Sequence, residues 1–158
     1  MNGGTTSAPL LEVVVLVGLP GAGKSTFFRQ RFEATHTLLS KDRLTDRRNL
    51  GYQQAVLLAQ ALAAGRSVVV DNTNAGLAER APLLELARAA GARVVAYLFD
   101  CPPRECAARN RLRQGRERVP DVAIHITAKR LVPPTLAEVF DQVFRVIPQP
   151  GPHFEVRT

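Results

Sequence analysis

The octet Gly18-Leu19-Pro20-Gly21-Ala22-Gly23-Lys24-Ser25 leaves this chain few folds to choose from. It follows the apolar run Leu11 to Val17 and precedes a helix-forming stretch, the strand–loop–helix context of a phosphate-binding Walker A loop. Glycines at 18, 21 and 23 let the backbone curl until several N–H groups face one anion. The helix that follows adds its positive end. Lys24 is expected to reach the β- and γ-phosphates of a nucleoside triphosphate, and the Ser25 hydroxyl to ligate Mg²⁺. Pro20, Ala22 and Thr26 belong to the same nucleotide-binding stretch. The motif alone does not separate kinases from ATPases or GTPases.

Leu11 to Val17 reads as a strand buried on both faces, which implies a parallel sheet. Further strands are expected over Thr37–Ser40, Ser67–Val70, Arg93–Phe99 and Val143–Ile147. Helices are expected over Lys24–Phe32, Leu50–Ala64, Glu79–Ala90, Pro103–Gln114 and Asp121–Leu131, the last stopped by Pro133-Pro134. Leu136–Phe140 reads as a short helical turn. Residues 1–9 read as a frayed terminus, and the tail beyond Pro148 as irregular. Strands alternating with helices over 158 residues imply one α/β domain, 1–158, with a parallel sheet covered on both faces.

In such sheets ligands lie beyond the carboxyl ends of the strands. Asp42, Asp71 and Asp100 each fall at or just past such an end. Phosphoryl transfer needs one carboxylate to orient or deprotonate the attacking hydroxyl and one to hold Mg²⁺ or its waters. Asp42 and Asp71 are the candidates, either of them reaching the metal through water. Asp42 also reads as a helix N-cap and Asp71 as a turn residue. Asp100 reads as a turn or cap. Six arginines fall between Arg104 and Arg118. Arg109 and Arg113 are four apart, so on a helix they share a face and could clamp triphosphate oxygens. A solvated basic helix, or a grip on an acceptor's backbone phosphates, fits the same residues.

The net charge of +7 favours a polyanionic partner. Aromatics at 6% and no Trp argue against a stacking platform for many bases. Two cysteines, 101 and 106, make neither a disulfide framework nor a zinc site. No signal peptide and no membrane-spanning run is expected, which places the protein in the cytoplasm without a membrane partner. No obligatory protein partner is evident, and His36, His125 and His153 receive no role.

Together these residues resemble the 5′-hydroxyl polynucleotide kinase family, most nearly the kinase domain of polynucleotide kinase/phosphatase. The resemblance runs from Val13 to Val146. It rests on Gly18–Thr26, Ser40–Asp42, Asp71-Asn72-Thr73-Asn74, Leu98-Phe99-Asp100, Arg109–Arg113, and Pro134-Thr135-Leu136-Ala137-Glu138 before Phe140. It implies a kinase-type P-loop fold with a small helical lid over 103–118. It implies ATP and Mg²⁺ as cofactors and a nucleic acid 5′-hydroxyl as acceptor. Asp42 would be the general base, and Lys24, Arg109 and Arg113 would stabilise the phosphates. Arg43, Asp71, Asn72 and Asn74 would lie toward the acceptor. The chain departs from many relatives at Thr45, where they carry an acceptor-gripping Arg; Lys41, Arg43, Arg47 or Arg48 is the candidate to substitute for it. No Asp-x-Asp phosphatase pair occurs, so the expectation is a stand-alone kinase. The residues leave open a kinase of small-molecule hydroxyls and a non-catalytic nucleotide-binding module. They also leave open DNA against RNA, and ATP against GTP.

Overall fold

The computed structural model describes residues 10–158; the expected frayed segment 1–9 lies outside them. The elements follow in the order β1 (Glu12–Val17), α1 (Lys24–Arg31), β2 (Thr37–Leu39), α2 (Leu50–Ala63), β3 (Val68–Asp71), α3 (Leu77–Ala89), β4 (Arg93–Phe99), α4 (Pro103–Asn110), α5 (Asp121–Arg130), β5 (Gln142–Gln149) and β6 (His153–Arg157). Short 3-10 turns occupy Lys41–Arg43, Gly115–Glu117 and Leu136–Glu138.

The strands form one sheet in the order β2-β3-β1-β4-β5-β6, parallel except for β6. Side chains alternate across a strand, so β1 serves two cores. Val13, Val15 and Val17 pack with Val68, Val70 and Val94 under Leu58 and Leu62 of α2 and Leu83 and Leu84 of α3. Val14 and Leu16 pack with Val69, Val95 and Tyr97 under Phe27 and Phe28 of α1, Cys106 and Ala107 of α4, and Ile124 of α5. Two apolar layers explain why Val13 to Val17 are all fully buried. β3 lies on one side of β1 and β4 on the other. The chain therefore reverses its direction of travel across the sheet at β1, and the crevice at such a switch point is where α/β sheets bind ligands.

Two segments differ from expectation. The tail is not irregular: His153–Arg157 adds an antiparallel strand, pairing Val146 with Val156 and Pro148 with Phe154. Phe154 and Val156 point into the core beside α1, while His153, Glu155 and Arg157 face outward. That period of two decides the matter, because Pro150 and Pro152 sit in the turn around Gly151 (φ +71°), where no ladder bond is needed.

The arginine-rich helix α4 stops at Asn110 instead of reaching Gln114. Asn110 is fully buried and turns its amide onto Val119: Nδ2 donates to the Val119 carbonyl (2.5 Å) and Oδ1 accepts from its N–H (3.0 Å). A side chain that bonds backbone this way competes with helix continuation, so residues 111–118 close as a loop. Arg113 consequently lies past the helix end, and it does not share a helical face with Arg109.

Candidate active site

β1 delivers the chain to Gly18, whose N–H donates to the Thr73 carbonyl (3.1 Å) in the loop after β3. The loop is wedged between other backbone segments. A Cβ on Gly18 would lie 2.9 Å from the Phe99 Cβ. Gly21 has φ +85°, and a Cβ there would lie 2.3 Å from the Cys106 carbonyl oxygen of α4. Gly23, at φ +96°, lies against the Phe154 ring and the Arg109 guanidinium. Both conformation and space therefore demand glycine at 21 and 23.

Ala22 is buried in the core, and Pro20 and Thr26 are half-buried beside it. The Lys24 ammonium is buried and donates to the carbonyls of Gly18 (2.9 Å) and Leu19 (2.8 Å). Burial lowers its pKa to about 8; nearby Asp71 opposes the shift and Arg113 adds to it. A partly desolvated cation beside the start of α1 suits a triphosphate, whose charge would restore the favourable field.

Ser25 Oγ donates to Asp71 Oδ2 (2.8 Å). Asp71 ends β3 opposite Leu16 of β1, so the sheet register holds carboxylate and loop side by side. Among the described residues no three His, Cys, Asp or Glu side chains gather into a metal cage. A hydroxyl and one carboxylate beside a phosphate loop nonetheless suit Mg²⁺, which takes its remaining ligands from phosphates and water.

Asp42 sits exposed in the 3-10 turn after β2, within electrostatic reach of Lys24. The turn is braced from two sides. Asn72 Oδ1 accepts from the Lys41 N–H (2.9 Å) while its Nδ2 donates to Gln54 Oε1 (2.5 Å). Arg47 donates to the Lys41 carbonyl (2.8 Å). Arg47 is thereby taken up, and Arg48 is paired with Asp46. Arg43, exposed, and Lys41 keep their charged ends free of ion pairs among the described residues; Thr45 is exposed nearby. Asn74 is placed differently from the expected acceptor contact. It is buried at φ +46°, and its Nδ2 donates to the Leu16 carbonyl (2.7 Å), tying β3 to β1. Asp100 pairs with Arg145 of β5.

Arg109 and Arg113 are half-buried and make no ion pair among the described residues, in contrast to Arg111, which pairs with Asp121 (2.7 Å). Arg109 lies over Gly23, and Arg113 acts on Lys24 from the rim of a cavity of about 570 Å³ shared with Arg118 and Pro120. Both cysteines are buried free thiols. Cys106 Sγ hydrogen-bonds the Cys101 carbonyl (3.6 Å), behind the loop.

One element escaped sequence reasoning. Arg80 of α3 is fully buried and holds Glu138 bidentately (2.8 and 2.9 Å). Its Nη1 donates to the carbonyls of Asn74 (2.8 Å) and Ala75 (3.1 Å). Glu138 also closes a capping box with Thr135. The Asp71–Asn74 and Pro134–Glu138 segments are thus clamped together through one arginine. The visible signal was Thr135-x-x-Glu138, a capping box; nothing local marked Arg80 as its partner.

The fold agrees with what comparison finds. Residues 13–134 match the family model of an AAA domain. A protein of Acanthamoeba polyphaga mimivirus, named for bifunctional polynucleotide phosphatase/kinase, is 28% identical over 142 residues. The match covers 84% of this chain and 32% of that protein, so the chain spans about a third of its relative. A fungal RNA kinase shares the fold at TM-score 0.67 with 16% identity, over 89% of this chain and 77% of the other. A gluconokinase from Sinorhizobium meliloti 1021 does so at 0.63 with 21% identity, over 90% and 85%. The fold is thus a kinase-type P-loop fold, a mostly parallel sheet flanked by helices. Among the described residues no helix is long and apolar enough to cross a membrane.

Proposed function

The chain belongs to the AAA domain family, matched over residues 13–134, and from that footing we propose that it is an ATP-dependent kinase of nucleic acid 5′-hydroxyl ends. The observation that carries the reading is one convergence. Lys24, the Ser25–Asp71 pair and Asp42 meet at the carboxyl ends of three neighbouring strands, β1, β3 and β2. A nucleotide-binding module needs the first two. An exposed carboxylate facing the loop is the added part that phosphoryl transfer to a hydroxyl requires.

Asp42 takes the proton of the acceptor hydroxyl as its oxygen bonds to the γ-phosphorus, and ADP leaves with the bridging oxygen. Lys24, Arg109 and Arg113 offset the charge on the phosphoryl oxygens. Mg²⁺, when held by Ser25 and Asp71, neutralises phosphate charge. Asn72 and Arg47 hold the Asp42 turn in register. The net charge of +7 and the mimivirus relative support a nucleic acid acceptor. Arg43 and Lys41, next to Asp42 and free of ion pairs among the described residues, would take the acceptor's phosphates. A new 5′-phosphate end is what strand sealing consumes, which fits a repair role in the cytoplasm.

The test mixes the protein, γ-labelled ATP and Mg²⁺ with 5′-hydroxyl DNA and RNA oligonucleotides and, separately, with nucleosides and sugars. Label on oligonucleotides is expected. Label confined to small acceptors overturns the acceptor class, and ATP binding without any transfer overturns the kinase itself. The small-molecule alternative has its own support in the gluconokinase likeness, which extends to the fold alone.

A further inference from the structure

Beside the Asp42 turn lies a slot of about 90 Å³, lined by four leucines, Leu38, Leu39, Leu44 and Leu57, together with Ser40, Gln54 and the exposed Arg43. Gln54 is a polar side chain only 6% exposed. Its orientation follows from a chain of hydrogen bonds with a single polarity. The Lys41 N–H can only donate, so the Asn72 atom facing it is the oxygen. The Asn72 nitrogen then faces Gln54 and must donate, so the Gln54 atom facing it is the oxygen. Gln54 Nε2 is left on the other side, with two N–H groups that meet solvent and no protein partner among the described residues. Gln54 lines the slot, so a ligand entering it can take the hydrogen bonds that Nε2 otherwise gives to water.

We propose that this slot is a specificity pocket for the acceptor, and that it takes the edge of the nucleobase next to the reacting hydroxyl. The inference rests on the acceptor class argued above. Leucine walls favour a flat apolar ring, and Gln54 Nε2 asks that ring for a carbonyl oxygen or an unprotonated ring nitrogen. The volume admits one ring edge and excludes a whole nucleotide, leaving sugar and phosphate outside beside Asp42 and Arg43. The polarity chain also couples recognition to chemistry. The Asn72 amide that orients Gln54 is the one that holds the turn carrying Asp42, so a correctly seated base and a correctly placed carboxylate share one anchor.

The experiment compares wild type with Gln54→Met and Leu57→Phe. Acceptors are 5′-hydroxyl oligonucleotides carrying a normal base or an abasic sugar at the first position. Gln54→Met removes the donor; Leu57→Phe fills the slot from its partly exposed rim and leaves Asn72 its partner. Thermal unfolding and ATP affinity confirm that each variant is folded and loaded. With the base-bearing acceptor, both variants are expected to raise KM about tenfold, the scale of one lost hydrogen bond in a desolvated site. With the abasic acceptor, wild type is expected to start at the raised KM and the variants to match it. Equal KM for the two acceptors in wild type, or equal losses on both in the folded variants, overturns the pocket while leaving the kinase reading intact. Absence of label on every oligonucleotide overturns the acceptor class, and the pocket with it.

Discussion

The phosphate loop and the Asp42 turn follow the carboxyl ends of β1 and β2, with β3 between them, and are built in opposite ways. The loop is held by close packing: Gly18 against Phe99, Gly21 against the backbone of Cys106, Gly23 against Phe154. The turn is exposed and held by directed hydrogen bonds from Asn72 and Arg47. The difference matches the tasks. A triphosphate is the same in every reaction of this kind, so its cradle can be rigid and local. An acceptor differs between enzymes, so on the proposed reading the Asp42 turn, which would serve it, is assembled from side chains that distant elements supply. A rigid loop tolerates no added volume, whereas a hydrogen-bonded turn tolerates change everywhere except at the groups that form its bonds and its chemistry.

The largest expected effect tests the turn. Asp42→Ala should lower transfer about 10²–10⁴-fold, the usual contribution of a positioned base, while ATP affinity stays within about twofold. Single-turnover rates with a nucleotide-binding titration check this, and retained turnover would remove Asp42 from the chemistry.

Next in size is Gly21→Ala, which tests the loop. The new methyl would meet a backbone oxygen at 2.3 Å with φ at +85°, and backbone cannot step aside as a flexible side chain does. Stability should fall by roughly 3 kcal/mol, combining left-handed strain with overpacking, and nucleotide binding should be lost. Urea unfolding measures the first and fluorescent nucleotide titration the second.

A smaller effect comes from pH. Lys24 has its pKa lowered to about 8 by burial, and on the proposed reading the triphosphate binds the charged form. Affinity should therefore be level below pH 8 and fall above it, by about tenfold between pH 7 and 9 if the bound lysine stays protonated. Proton uptake on binding, read by calorimetry in two buffers above pH 8, checks the sign; a flat profile would mean the lysine is charged throughout.

The smallest effect has the opposite sign and lies on the turn's side of the crevice. Gly51, in the first turn of α2, has nothing within 4 Å of the position a Cβ would take. Gly51→Ala should stabilise the protein by about 0.5–1 kcal/mol through helix propensity alone. Glycine-to-alanine exchange would thus destabilise one region and stabilise the other, and equal signs would erase the contrast.

What could be read in advance follows the same division. The octet at Gly18, the β-branched runs of β1, β3 and β4, and the carboxylates Asp71 and Asp100 at the ends of the last two were legible, because period and turn chemistry act over a few neighbouring residues. The last strand was missed because two prolines suggested irregularity, yet both lie in the turn and the alternation of Phe154 and Val156 prevailed. Helix α4 was read too long because Asn110 reaches Val119, nine residues on.

By itself, then, the amino-acid sequence determined that a buried parallel sheet carries a phosphate loop with two aspartates at strand ends. Only the tertiary structure decided that Asp71 pairs with Ser25 and that Arg80 clamps Glu138 fifty-eight positions away. It also decided that Asn72 ties Gln54 to the Asp42 turn, and that Asn74 serves the sheet. The physical reason is range. Backbone preference and hydrophobic period are local, but a buried polar group takes its partner from whichever element the fold brings within hydrogen-bond distance.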